Sequence, residues 1–231
     1  MYTYKAIVEG VNTATETIEL QIDSCVAAGY TGRNRESVQA HIDELKKLQV
    51  ATPYAIPAMY WISPSRLTSH ERLLVVGDKT SPEVEFFLAS DHRSSLYVTV
   101  ASDHTDRQLE SVSVGKSKQV CDKILGDIFW KVDVIDDHWD DILISSIIFI
   151  DDSWITYQSG TLGDIMHYSE LMELVKLEQP AGKRPCLLSG TIPIAGGEAI
   201  FTSSCEITLA DPHLHRKIMK KYDITVMPDR S

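Results

Sequence analysis

The sequence predicts an α+β protein, rich in strands, built around a folded or rolled mixed sheet with few helices. Three observations lead there. Short runs of β-branched and aromatic residues bounded by Gly, Asp or Ser recur along the chain, only two stretches carry a helical stripe, and the strands are irregularly spaced, without the regular alternation that a parallel βαβ sheet requires. A chain of 231 residues with 43% hydrophobic content buries roughly 70% of the surface its unfolded form exposes, enough for a substantial core without disulfides or a structural metal.

Taken in order, strands are predicted at residues 4–8, 17–22, 73–76, 84–88, 96–100, 142–150, 154–157 and 199–209. The first helix follows Asn34, a residue type that caps helix N-termini, and places Val38, Ile42, Leu45 and Leu48 on one stripe. Leu171, Leu174 and Val175 form the second stripe, around residues 168–177. The sequence holds no internal repeat and no Pro/Gly/Ser-rich linker, so residues 1–231 are read as a single domain.

Charge narrows the partners. Thirty-three Asp and Glu against 22 Lys and Arg give a net charge of −11, with no basic run to oppose it, which argues against nucleic acid or an anionic membrane surface. Cys25, Cys121, Cys186 and Cys205 are far apart and form no C-x-x-C pair, so they are read as reduced, partly buried thiols. The N-terminus lacks an apolar signal region, and the longest apolar run, residues 142–150, holds two serines and is too short to span a bilayer. A cytoplasmic location is expected.

Several side chains could carry chemistry. In Glu83-Val84-Glu85 a strand projects both carboxylates to one face, roughly 7 Å apart at their Cα atoms. Such like charges suit a hard divalent cation, or simply a solvated acidic strand. Asp103, just after the strand at 96–100, could supply a third oxygen or could cap a turn. His41 and Glu44 are helix neighbours, so Glu44 could orient the imidazole for general-base work; on spacing alone an incidental surface pair is the commoner explanation. Lys116, Lys118 and Lys123 could hold an anionic substrate or form a solvated face. The loop Ser189-Gly190-Thr191-Ile192-Pro193 lacks the lysine of a phosphate-binding loop and reads either as a hairpin or as a wall of free amides. The acidic stretches at residues 136–141 and 151–152 are read as solvated strand ends, and His213-Leu214-His215 has no third partner nearby for a metal. No G-x-S-x-G elbow or Cys–His pair supports an acyl-enzyme.

In order, these fragments resemble the fumarylacetoacetate hydrolase superfamily from about residue 29 to 218. Gly32-Arg33-Asn34 with His41-x-x-Glu44 is similar to its G-R-N-Y…H-x-x-E segment, and residues 53–65 to its proline-rich strand. Glu83-x-Glu85 resembles its E-x-E pair, and Ser102-Asp103 with Arg107 the segment that carries a metal Asp and a substrate Arg. Gln158-Ser159-Gly160-Thr161 with Asp164-Ile165-Met166, and Ser189-Gly190-Thr191-x-Pro193, resemble its two closing segments. Residues 29–34, 102–107 and 117–121 also resemble a related bacterial family of unassigned function.

The resemblance implies a rolled mixed sheet of the fumarylacetoacetase C-terminal type and a homodimer. It implies Glu83, Glu85 and Asp103 as ligands of Mg²⁺ or Mn²⁺, with Ca²⁺ as a further candidate. His41, Glu44 and Lys118 become the catalytic set, with Lys118 preferred to Lys116, and Arg107, Thr191 and Gly190 contact a small carboxylic acid. The implied reaction is C–C bond hydrolysis of a 2-oxo or 1,3-dicarbonyl acid through an enolate. Decarboxylation, hydration and isomerisation on the same scaffold, or binding without catalysis, are the alternatives. This sequence departs from the pattern in its short interval from Glu85 to Asp103, in Glu110 where Gln is common, and in Trp61 where many members have Lys.

Overall fold

Strands Val84–Ser90 and Leu96–Ser102 are apolar on both faces and buried nearly end to end, the pattern of strands covered on two sides. In the computed structural model, which describes residues 2–11, 13–47, 53–178 and 184–230, they lie at the middle of a ten-stranded mixed sheet. The main path runs Glu16–Ile22, Tyr2–Val8, Ile128–Lys131, Leu96–Ser102, Val84–Ser90, Pro185–Leu188, Ser24–Gly29 and Ala58–Ile62. Lys123–Leu125 pairs with Leu96–Ser102 and with Leu67–Thr68.

Alternation assigns the two faces. Phe87, Ala89, Tyr97 and Ala101 join Tyr4, Leu20, Phe129 and Leu188 in a core whose buried members all come from this one sheet, so the sheet rolls around its own side chains. Val84, Phe86, Leu88, Val98 and Val100 point the other way, against a five-stranded sheet. Its order is Ser153–Thr161, Leu143–Ile150, Ser204–Asp211, Arg216–Met227 and Arg72–Val76. The mixed, strand-rich α+β class is therefore the observed one, and among the described residues no helix is long and apolar enough to cross a membrane.

Gln158 ties the two layers together. Its buried side chain accepts from Val84 N at 2.9 Å and from Ser146 Oγ at 3.2 Å, and donates to Thr191 Oγ1 at 2.6 Å and Ile192 O at 2.7 Å. Gln158→Leu would strand the buried Val84 N–H, and we expect a loss of about 2–4 kcal/mol, read from the denaturant midpoint.

Asn34 caps the helix Arg35–Lys47 as its residue type predicts, accepting from Ser37 N at 3.1 Å. The second helix is Tyr168–Glu178. Other expectations shift. The strand predicted from residue 199 begins at Ser204, because Ile200 N turns to the Tyr157 hydroxyl and Thr202 Oγ1 to Phe149 O, outside the ladder. Asp151 and Asp152, with φ of 47° and 60°, form the two-residue turn between their strands. Asp136–Asp141 is a short 3₁₀ segment that buries Trp139 and offers Asp140 to Arg33. That ion pair is about half exposed on both sides, so Asp140→Asn should cost about 1 kcal/mol or less, checked by the same unfolding measurement.

Candidate metal centre

The two central strands pair antiparallel with Val84 opposite Ser102 and Glu85 opposite Ala101, and the register continues one step as Asp103 N donates to Glu83 O at 2.9 Å. Glu83, Glu85 and Asp103 thus share a face and an end of the hairpin, with Asp103 18 residues beyond Glu85 in sequence and adjacent in space. Each offers an oxygen within 4.8 Å of the others. Glu85 and Asp103 are fully buried, and the Glu83 side chain is 12% exposed.

Three cations close around them. Lys118 Nζ lies 2.9 Å from Glu83 Oε2 and also bonds Asp103 Oδ2. Lys123 Nζ lies 2.6 Å from Asp103 Oδ1 and donates to His104 O. Arg107 reaches Glu83 Oε1 at 3.1 Å. Of the two lysines weighed for the site, Lys118 is the buried one and Lys116 is exposed. The expectation of a solvated lysine face fails for Lys118 and Lys123, because each ammonium is taken up by Asp103.

The three carboxylates are not equivalent. Burial would raise the Glu83 pKa, but Arg107 and Lys118 outweigh it and hold the group ionised, far below the usual range. Burial, with Asp103 second, drives Glu85 well above the usual carboxylate range. Glu85 Oε2 accepts from Gly190 N at 3.0 Å, whereas Glu85 Oε1 is buried with no hydrogen-bond partner among the described residues. Burial opposes charge on Lys118 too, yet Asp103 and Glu83 raise its pKa well above that of a free lysine. An oxygen-only donor set with one orphaned buried oxygen fits a hard divalent cation.

Gly190 and Thr191 act on the carboxylates from the side. Gly190 has φ of +83°, and a Cβ there would meet Thr31 Oγ1 at 2.2 Å and Ala28 O at 3.1 Å. Gly190→Ala should therefore cost about 1–3 kcal/mol and loosen Glu85, visible as a lower melting temperature. Thr191 Oγ1 donates to Val84 O at 2.8 Å while accepting from Gln158, so its hydroxyl is engaged by the frame that carries Glu83 and Glu85.

The outer face of the same strand end is anchored separately. Ser102 and His104 flank Asp103 and point oppositely, and both bond the buried Tyr222 hydroxyl, at 2.8 and 3.1 Å. His104 Nε2 meets Thr80 Oγ1 at 2.9 Å, and burial, with Lys123 second, pushes the imidazole pKa down to about 3. Sequence reasoning missed Tyr222 and His104. Tyr222 belongs to Arg216–Met227, whose inward alternation of Ile218, Tyr222 and Ile224 is interrupted by Lys220, buried against Asp127. His41 and Glu44 lie on the helix Arg35–Lys47, but their side chains fall outside the described part of the structure.

The fold is one shared with several solved structures. A structure of 2-keto-3-deoxy-D-arabinonate dehydratase complexed with magnesium and 2,5-dioxopentanoate matches with TM-score 0.67 at 16% identity, covering 89% of this chain and 74% of that one. Cg1458 with inhibitor matches at TM-score 0.64 and 15% identity, over 98% and 90%. The 4-oxalocrotonate decarboxylase from Pseudomonas putida G7, complexed with calcium and acetate, matches at 0.52 and 13%, over 89% and 78%. Within that fold the chain belongs to the family described as "Protein of unknown function (DUF2848)", whose model matches residues 28–222. No curated protein matches the sequence.

Proposed function

We propose that this protein is a divalent-cation-dependent enzyme acting on a small 2-oxo or 1,3-dicarbonyl acid through an enolate. The observation that carries the proposal is the convergence of Glu83, Glu85 and Asp103 within 4.8 Å, with Glu85 Oε1 left without a partner. These residues would hold Mg²⁺ or Mn²⁺, or Ca²⁺; the magnesium and calcium in the two complexes named above support that choice of ion. The bound ion would act as a Lewis acid that polarises a carbonyl.

The protein's own groups do the rest. Lys118 offers a charged donor to a substrate carboxylate or enolate oxygen. Arg107 holds Glu83 on one side and borders the substrate on the other, and Gly190 with Thr191 fixes the edge of the site. His41 takes a proton from water or substrate, with Glu44 orienting its ring. C–C bond hydrolysis is the specific reaction we favour on sequence grounds. Dehydration and decarboxylation also pass through an enolate and fit this site equally well, as the dehydratase and decarboxylase among the structural matches illustrate. A single domain working as a homodimer completes the proposal.

Metal analysis followed by turnover assays on acylpyruvates, oxaloacetate-like acids and 2-keto-3-deoxy sugar acids, with Mg²⁺ or Mn²⁺ added, tests it. Metal-dependent consumption of one class is expected; no metal binding and no turnover would overturn it. His41→Ala should spare metal binding and lower kcat on the order of 10²–10⁴-fold.

A further inference from the structure

We infer that the site selects 2-oxo monoacids whose far end is uncharged and rejects 2-oxo diacids, because Glu110 holds the Arg107 guanidinium that would otherwise receive a second carboxylate. The inference rests on the metal-site reading above and adds the substrate's charge to it.

Arg107 has every nitrogen engaged by protein. Nε donates to Ser81 Oγ at 2.7 Å, Nη1 to Glu110 Oε2 at 2.8 Å, and Nη2 lies 3.1 Å from Glu83 Oε1. One N–H remains on each terminal nitrogen, but the single positive charge is already answered by two carboxylates. The arrangement is built in rather than incidental. Asp106 accepts from Leu109 N at 2.9 Å and so starts the short helix Arg107–Glu110, which puts Arg107 and Glu110 at i,i+3. With side chains 17% and 29% exposed, the pair forms the more open edge of the cluster, whereas Lys118 and Lys123 are buried beside Asp103.

Charge then decides the ligand. Around a bound divalent cation, with all four carboxylates ionised, Glu83, Glu85, Asp103 and Glu110 against Arg107, Lys118, Lys123 and the ion leave one positive charge. A monoanion closes the balance. A dianion would leave an excess negative charge beside Glu110, where low exposure weakens screening.

The test uses three probes with the same five-carbon skeleton: 2-oxopentanoate, 2,5-dioxopentanoate and 2-oxoglutarate. Their affinities are measured by calorimetry on the full protein after its Mg²⁺ binding has been titrated. Both monoacids should bind at least ten-fold more tightly than 2-oxoglutarate. Glu110→Gln, and Glu110→Ala as a second variant, should each raise 2-oxoglutarate affinity at least ten-fold with the melting temperature near that of the parent. Equal binding of 2-oxoglutarate and 2-oxopentanoate to the parent, or no gain in either variant, overturns the charge selection alone. A protein that binds Mg²⁺ to no measurable extent, or that binds none of the three acids when loaded, overturns the site reading and this inference with it.

Discussion

Replacing Glu85 by Gln is expected to lower Mg²⁺ or Ca²⁺ affinity on the order of 100-fold or more, while leaving the metal-free protein as stable as its parent or more so. The two halves of this expectation have one cause. Glu85 is fully buried, its Oε1 has no partner, and burial with the neighbouring Asp103 drives its pKa well up. A carboxylate in that state costs stability when ionised, and Gln keeps its shape and one acceptor for Gly190 N without the charge. The sign of the pH dependence follows. A carboxyl whose folded pKa lies above its unfolded value of about 4.3 contributes stability in full below that value and loses it as pH rises through the folded pKa. The Gln variant should lose that slope. Calorimetric titration of the ion, with melting curves of the metal-free forms across pH, measures both halves; a variant that keeps parental metal affinity would remove Glu85 from the site.

Asp103→Ala should behave in the opposite way, destabilising the protein by about 3–5 kcal/mol even without metal. For a chain of this length that is a fall of roughly 10 °C in melting temperature. Asp103 is the counter-charge for two buried ammonium groups, Lys118 and Lys123, the second with no exposed side-chain surface. Truncation leaves Lys123 without its carboxylate partner and Lys118 with Glu83 alone, and removing one partner of a buried pair costs more than the pair itself contributes. Lys123→Met in the same background should recover part of the loss, because it removes one of the stranded charges. Equal melting temperatures for Asp103→Ala and the parent would show that these ion pairs do not hold the strand end.

Much of the fold was legible in the sequence because the central strands are patterned strongly. Residues 84–88 and 96–100 are rich in aromatic and β-branched side chains, and both lie within observed strands. Ser24–Gly29 went unpredicted, since its Cys and Ala have weak strand preference and it is held in place by parallel pairing with Pro185–Leu188. Arg216–Met227 was hidden by the inward Lys220, which reads as solvent-facing until Asp127 is brought against it. At the site, the spacing of Glu83 and Glu85 revealed their common face, because strand geometry is local. The burial of Lys123, the anchor Tyr222 and the hold of Glu110 on Arg107 depend on contacts between distant segments, which no local pattern announces.

The Tyr222 hydroxyl, which grips the residues on either side of Asp103, has a consequence for the order in which the molecule is made. Glu83 and Asp103 leave the ribosome before Gly190 and Tyr222, which fix Glu85 and Asp103 from opposite sides and come more than 80 residues later. The acidic cluster is therefore completed only when the chain has been synthesised past Tyr222 and Arg216–Met227 has docked. Contacts of such high sequence separation form slowly, so the ion should bind late and report completed folding rather than nucleate it.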